Sequence, residues 1–318
     1  MSELKKILVT SRSFSSGNLD LFKYLEEHGF LTKMADSKHE LSELSKELPD
    51  CVGWIAGTSK VTAEMMDLAP NLKVIARYGV GFESVDLEAA KSRGIVVTNT
   101  PGANSLAVAE LTLGLIFTAL RAIVTSANNV RAGDWSVIRG RALEESTVGI
   151  IGFGRIGRIL AAKLKALGCT VVIHDPYVKV DEISALGYTS KSVEEICKIA
   201  DIVSLHAPGD AAVVNSQWIE AAKLGQVIIN SARAELVDES AIANGIRSEK
   251  ISYYAADTLQ GEKNSANSPL LAQDISSKVT ITPHLGAQTV AAIDLMGKIS
   301  VANAVAVLTG KPAINPVN

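Results

Sequence analysis

The chain has 318 residues, 47% of them hydrophobic and 20% charged, with a formal net charge of −3, an ordinary globular composition long enough for two domains. The near-neutral balance and the lack of a basic block exclude a large phosphate-tracking surface for nucleic acid. Cys51, Cys169 and Cys197 lack metal-ligand or CxxC spacing and read as core thiols of a reducing compartment. The opening MSELKKILVTS passes from charges into a short strand, so neither signal peptide nor membrane anchor is expected and a cytoplasmic location is.

From the N-terminus, short apolar runs alternate with amphipathic ones, the period switching between two and 3.6. KKILVTS reads as a strand, LDLFKYLEEHG as a helix and FLTKMAD as a strand, followed by a polar helix ending near Pro49. CVGWIAG, LKVIARYG and IVVTNTP continue as strands, with helices over Thr62 to Leu68 and Ser84 to Arg93 between them. That alternation is a parallel sheet with helical crossovers. A helical stretch then runs from Asn104 to about Asn129. Its greasiest part, Ala107 to Val124, contains Glu110 and Arg121 and reads as a buried helix, not a membrane span.

A second series begins with TVGIIGFGRIGR, Thr147 to Arg158. Here an apolar strand breaks into Gly152, Gly154 and Gly157. The first glycine allows the sharp turn, the second lets a pyrophosphate approach the backbone, and the third lets the helix press on its sheet. A helical pattern through Leu160, Leu164 and Leu167 ends at Gly168, and the strand TVVIHD finishes on Asp175, about 20 residues beyond the first glycine. A carboxylate there accepts from both ribose hydroxyls and repels a 2′-phosphate, so NAD is expected; Lys179 leaves some room for NADP. DIVSLHAP, QVIINSA, ISYYAAD and VTITPH complete the series, and a helix from about Gln288 to Leu308 follows. The expected fold class is therefore α/β with two doubly wound parallel-sheet domains, a Rossmann-type cofactor domain inserted in a flavodoxin-like substrate domain. The expected boundaries are 1–100 plus 286–318 for the substrate domain and 101–285 for the NAD-binding domain, with crossings near Pro101 and His284 and ligands in the crevice at the strand ends.

Arg233, Asp257, Glu262 and His284 follow strand ends of the second series. Histidine moves a hydroxyl proton best near neutral pH, which makes His284 the candidate acid and base. If Glu262 touches it, a pair at about 4 Å in an effective dielectric near 20 gains about 4 kcal/mol and favours the imidazolium. Arg233 offers a planar fork for a substrate carboxylate, or pairs on the surface with Glu235 or Asp238. Asp257 either bonds the nicotinamide carboxamide or caps the following loop. His206 and Pro208 shape the cofactor cleft. His28 and His39 read as solvated residues of polar helix faces, and His174 as an alternating strand residue. In the first series, RYGVGFESVD places Gly79 and Gly81 at a strand end as an anion nest or a tight turn, and Asn104 is an N-cap or reaches substrate. No metal site is expected.

Together these motifs resemble the D-isomer-specific 2-hydroxyacid dehydrogenases from about Leu41 onward. The family's RxGxGxxxxD element stands as Arg77 to Asp86, its NxPxxNxxxVAE element as Asn99 to Glu110, and its glycine fingerprint as Gly152 to Gly157. The resemblance implies that Arg233 binds the carboxylate, Glu262 pairs with His284, and His284 exchanges the proton. It implies an NAD site of Gly152, Gly154, Arg155, Ile156, Gly157, Asp175, His206, Pro208, Ala232 and Asp257, and a substrate site of Gly79, Val80, Gly81, Asn104 and Arg233. It also implies a homodimer whose arm is the long helix and the loop around Trp135. Departures are Ala234 after the arginine, Thr258 and Leu259 after the aspartate, Lys263 where proline is common, and Ala56 and Gly57 where phosphoglycerate-type members often carry arginine and serine; Lys60 and Arg77 remain to supply charge. The implied substrates are small D-2-hydroxy and 2-keto acids, with 3-phosphoglycerate, glyoxylate and hydroxypyruvate foremost. Longer or branched keto acids, an NAD-sensing corepressor-like protein, and a dinucleotide binder without turnover are the competing readings. Nucleic acid and membrane partners are not expected.

Overall fold

A computed structural model of the chain describes residues 5–209, 211–262 and 267–318; Lys263 lies outside them. The chain divides into two compact units, Met1–Asn104 with Ala287–Asn318, and Ser105–Gly286. Both are doubly wound parallel α/β sheets, the fold class expected from the alternating periods.

The first unit runs β1 (Lys5–Val9), α1 (Leu21–Glu27), β2 (Phe30–Met34), α2 (Leu41–Leu44), β3 (Cys51–Ala56), α3 (Ala63–Asp67), β4 (Val74–Arg77), α4 (Leu87–Ser92) and β5 (Val96–Thr98). Its strand order is β2-β1-β3-β4-β5, all parallel, the flavodoxin-like arrangement. β3 and β4 are near-continuous apolar runs because both faces are covered. Helix starts are set by side-chain caps: Asp20, Thr62 and Asp86 accept from Lys23, Met65 and Ala89 amides. The Asp86 cap explains why α4 begins at Leu87 rather than at Ser84.

α12 (Val290–Leu308) packs on β3, β4 and α1 of this unit. It is the one helix among the described residues long and apolar enough by itself to cross a membrane, and Ala292, Met296, Ser300 and Ala304 are buried along it. Beyond it, Val317 N donates to Val97 O at 2.9 Å and the Asn318 side chain bonds Val97 N and Ile95 O. These bonds cover the β5 edge, which would otherwise present unpaired amides.

His39 corrects the sequence reading. It lies outside any helix, is buried, and holds the left-handed φ of +60°. Its Nδ1 bonds Lys60 O at 2.8 Å and its Nε2 bonds Thr10 Oγ1 at 2.7 Å. Polar neighbours in sequence concealed a ring that ties the end of β1 to the loop after β3. His28 does stay exposed, stacked on Tyr24.

The second unit runs α5 (Ser105–Arg121), α6 (Ile123–Arg131), β6 (Thr147–Ile151), α7 (Arg155–Ala166), β7 (Thr170–His174), α8 (Val180–Ala185), β8 (Thr189–Ser190), α9 (Val193–Ile199), β9 (Ile202–Leu205), α10 (Ser216–Ala221), β10 (Gln226–Asn230), α11 (Glu239–Arg247), β11 (Ile251–Ala256) and β12 (Val279–Ile281). The strand order, β8-β7-β6-β9-β10-β11-β12, reverses direction at β6/β9. That is where such sheets bind ligands, at the carboxyl ends of the strands. The single helical stretch expected over Asn104 to Asn129 is two helices bent by 62° at Ala122, whose φ is +47°. α5 packs on α7, β10 and β11 and buries nine residues, whereas α6 buries none. The helix breaks where its apolar face runs out of sheet to cover. All three cysteines are free and buried.

Candidate active site

The loop after β6 is built around positions that tolerate no side chain. Gly152 has φ +100°, and a Cβ there would come within 2.5 Å of the His206 carbonyl carbon and oxygen. A Cβ on Gly157 would overlap the Gly152 carbonyl oxygen, so the first turn of α7 packs directly on the loop. Gly154 differs: a Cβ on it would meet nothing within 4 Å, and it stands at the N-terminus of α7 without a side-chain cap and with no acidic residue in the first turn. Open space over uncapped amides at the positive end of a 12-residue helix fits a pyrophosphate, with Arg155 and Ile156 in that first turn.

Asp175 closes the other side of this loop. Its carboxylate accepts from Phe153 N at 2.6 Å and Tyr177 N at 2.8 Å. One donor per oxygen leaves lone pairs for two ribose hydroxyls, and the charge opposes a 2′-phosphate.

His206 follows β9. Its Nε2 bonds Ser204 Oγ at 2.8 Å, while its Nδ1 is buried without a partner among the described residues. Burial lowers its pKa from 6.5 to about 4. Between those values the unfolded chain binds a proton that the folded chain refuses, so stability rises with pH through this window and is lost as pH falls from 6.5 towards 4. The lost stability amounts to about 3 kcal/mol. We expect His206→Gln to flatten the fall of Tm over that range, measured by calorimetry; an unchanged slope would remove His206 from the acid response.

The proton-transfer candidates meet on neighbouring loops of the same unit. His284 follows β12, Glu262 follows β11, and His284 Nδ1 lies 2.8 Å from Glu262 Oε1. A carboxylate only accepts, so Nδ1 carries the proton and Nε2 is left as the reactive nitrogen. Both side chains are 53% exposed. The pair is therefore worth the ~0–1 kcal/mol of a solvated ion pair rather than the larger figure for a screened-off one. Both backbones are left-handed, φ +58° at His284 and +40° at Glu262, a strain that persists only where the surroundings over-determine it.

For His284 the constraint is Asp257. Its carboxylate is buried and accepts from Thr282 Oγ1 at 2.5 Å, Leu285 N at 2.7 Å and Gly286 N at 2.7 Å. These partners lie on the loop after β12, not on the loop that follows Asp257 itself. Thr282 was not anticipated; its place two residues before the histidine was the available signal.

Arg233 follows β10 in extended backbone. Asn230 braces it, donating Nδ2 to Arg233 O at 2.8 Å and accepting from Ala232 N at 3.1 Å. Gly209 gives the stem room, since a Cβ there would come 2.7 Å from Arg233 Cβ. Pro208 beside it is exposed. Asp238, one of the acids considered as an ion-pair partner, caps α11 through Ser240 N and Ala241 N.

In the first unit, the turn after β4 has its carbonyls fixed one after another. Thr100 N donates to Gly79 O at 3.0 Å, Asn99 Nδ2 to Val80 O at 2.7 Å, and Arg77 Nε to Gly81 O at 3.0 Å. Each peptide is planar and trans, so the amides of Val80, Gly81 and Phe82 point away from those donors. Arg77 is buried and also donates to Ala56 O and Gly57 O. Its charge thus lies beneath the loop rather than on the surface. Asn104, half-buried, immediately precedes α5.

Comparison with known proteins places these features in a family. Residues 113–286 match the profile of the D-isomer specific 2-hydroxyacid dehydrogenase NAD binding domain. The D-3-phosphoglycerate dehydrogenase of Methanocaldococcus jannaschii is 36% identical over 98% of this chain and 59% of its own length. The chain spans roughly half of the curated relatives it matches, 46% and 53% for the Mycobacterium leprae and Archaeoglobus fulgidus enzymes of the same name. Among solved structures, the TT0316 protein of Thermus thermophilus superposes with a TM-score of 0.89 at 34% identity, covering 98% of this chain and all of that one. An NADPH-dependent glyoxylate/hydroxypyruvate reductase from Sinorhizobium meliloti, solved with NADP and malonate, gives 0.84 at 27% identity over 99% and 97%.

Proposed function

Because this chain belongs to the D-isomer specific 2-hydroxyacid dehydrogenase family and carries its NAD-binding domain, we propose that it interconverts a small D-2-hydroxy acid and the matching 2-keto acid. When bound, NAD exchanges a hydride with the substrate carbon. His284 Nε2 exchanges the proton with the substrate oxygen, and Glu262 fixes the ring through Nδ1. Arg233 binds a carboxylate through its fork and polarises the adjacent carbonyl. In the first unit, the amides of Val80, Gly81 and Phe82, whose carbonyls are tied back by Thr100, Asn99 and Arg77, are the candidates for an anionic group. The observation that carries this reading is the 2.8 Å His284–Glu262 contact, held in two strained backbones.

The named relatives make 3-phosphoglycerate the first candidate. A second reading, glyoxylate or hydroxypyruvate, is favoured by Ala56 and Gly57. Ala56 is fully buried, and a Cβ on Gly57 would come 2.7 Å from Thr10 O, so neither position presents a phosphate-binding side chain. NADH consumption across 2-keto acids with and without a terminal phosphate tests both. Turnover of at least one is expected, and none would refute the dehydrogenase reading. A homodimer is also proposed, supported by the run of exposed apolar residues Val130, Trp135 and Val137, the last two 78% and 94% accessible. A cytoplasmic location, and function without nucleic acid or membrane, complete the proposal; the net charge of −3 supports the former absence.

A further inference from the structure

Glu239 opens α11 and is buried, yet nothing above gives it work. Its Oε1 accepts from Gln260 N at 2.8 Å and its Oε2 from Ser268 Oγ at 2.6 Å. These two attachments fall on either side of Glu262 in the chain. The carboxylate is itself well anchored, since the first turn of a helix favours negative charge and the preceding Asp238 caps that turn through Ser240 and Ala241 amides. Glu262 has its own backbone bond to Leu259 O, at 3.0 Å, but sits at φ +40° on an exposed stretch. A residue in that conformation needs outside constraint, and Glu239 is a constraint of the same kind that Asp257 applies beside His284.

We propose that Glu239 is a positioning residue, holding Glu262 against His284 through Gln260, two residues before it, while Ser268 fixes the Glu239 carboxylate. The proposal rests on the dehydrogenase reading for its kinetic consequence but not for its structural one, so the test reads both. In the intact protein, long-range proton–nitrogen NMR on labelled histidine, assigned by comparison with His284→Asn, reports which ring nitrogen carries the proton. The wild type is expected to show Nδ1–H at His284, as the bond to Glu262 requires. Glu239→Ala is expected to revert the ring to the Nε2–H form that free imidazole favours, and to lower kcat about tenfold or more with the KM for NADH unchanged. Glu239→Gln keeps an acceptor for Gln260 N and a donor for the Ser268 hydroxyl, and is expected to restore both readouts to within about threefold. A purely structural role would lower Tm while leaving the tautomer, and the kcat of the folded enzyme, as they were. Should Glu239→Ala fail to fold, Ser268→Ala, which removes one attachment only, is expected to move the tautomer part of the way. Nδ1–H persisting in the folded variants, or Nε2–H in the wild type, overturns the proposal. If no keto acid is turned over, the tautomer alone decides it, separately from the fate of the dehydrogenase reading.

Discussion

His284→Asn is expected to lower kcat for keto-acid reduction by about 10²- to 10⁴-fold, the range in which a positioned acid or base contributes. Asparagine is the informative replacement because, like histidine, it tolerates the left-handed backbone found at position 284, φ +58°. Its amide nitrogen also offers Glu262 a donor close to where Nδ1 stands. What it lacks is Nε2, so the variant removes proton exchange and little else. kcat and kcat/KM should fall together, the pattern of an interaction made only in the transition state. NADH binding, followed by fluorescence, should be unchanged, because the glycine cradle follows β6 and His284 follows β12. Tm should move by no more than a few degrees, since a half-exposed pair contributes about 0–1 kcal/mol. Activity within tenfold of wild type would mean that another group moves the proton.

The elements legible in the sequence were those where one local rule decides the outcome. Gly152, Gly154 and Gly157 could be read because each answers a separate steric demand, and the structure shows two overlaps and one open face at those positions. Buried parallel strands such as QVIIN and IVSL could be read because covering both faces requires unbroken apolar runs. The contact of His284 with Glu262, 22 positions apart, was legible from the residues only as a condition, since strand-end placement puts both on neighbouring loops without fixing contact; the family resemblance supplied the pairing.

What stayed hidden depended on partners distant in the chain. His39 reads as a surface residue until Thr10 and Lys60 arrive beside it. The α5/α6 break at Ala122 has no glycine or proline to announce it; the helix stops because the sheet beneath it does. Asp257, though a strand-end candidate, carries no sign in the sequence of its partners on the loop after β12, and Glu239 is an ordinary helix-start acid by pattern. Only their acceptor bonds, to residues 25 to 29 positions away in the first case and 21 and 29 in the second, identify them as the anchors of the two strained loops.

Arg233→Ala is expected to lower kcat/KM for the keto acid by about 10²- to 10³-fold, equivalent to about 2.7–4 kcal/mol of lost transition-state stabilisation. The guanidinium itself donates Nη1 to Ala232 O at 3.0 Å, but the Asn230 side chain holds the same backbone from both sides, so the loss should be mainly chemical, with Tm little changed. Unlike His284→Asn, this variant should also raise the KM for substrate, since a carboxylate clamp acts in the bound ground state as well as in the transition state. Arg233→Lys should recover only part of the loss, because a point charge on a flexible stem cannot reproduce the two parallel bonds of a planar fork. The sharper measurement is discrimination. Wild type should strongly prefer a 2-keto acid over the ketone that lacks its carboxylate, and the preference should collapse in Arg233→Ala while the already slow turnover of the ketone changes little. If the preference survives intact, a group other than Arg233 reads the carboxylate.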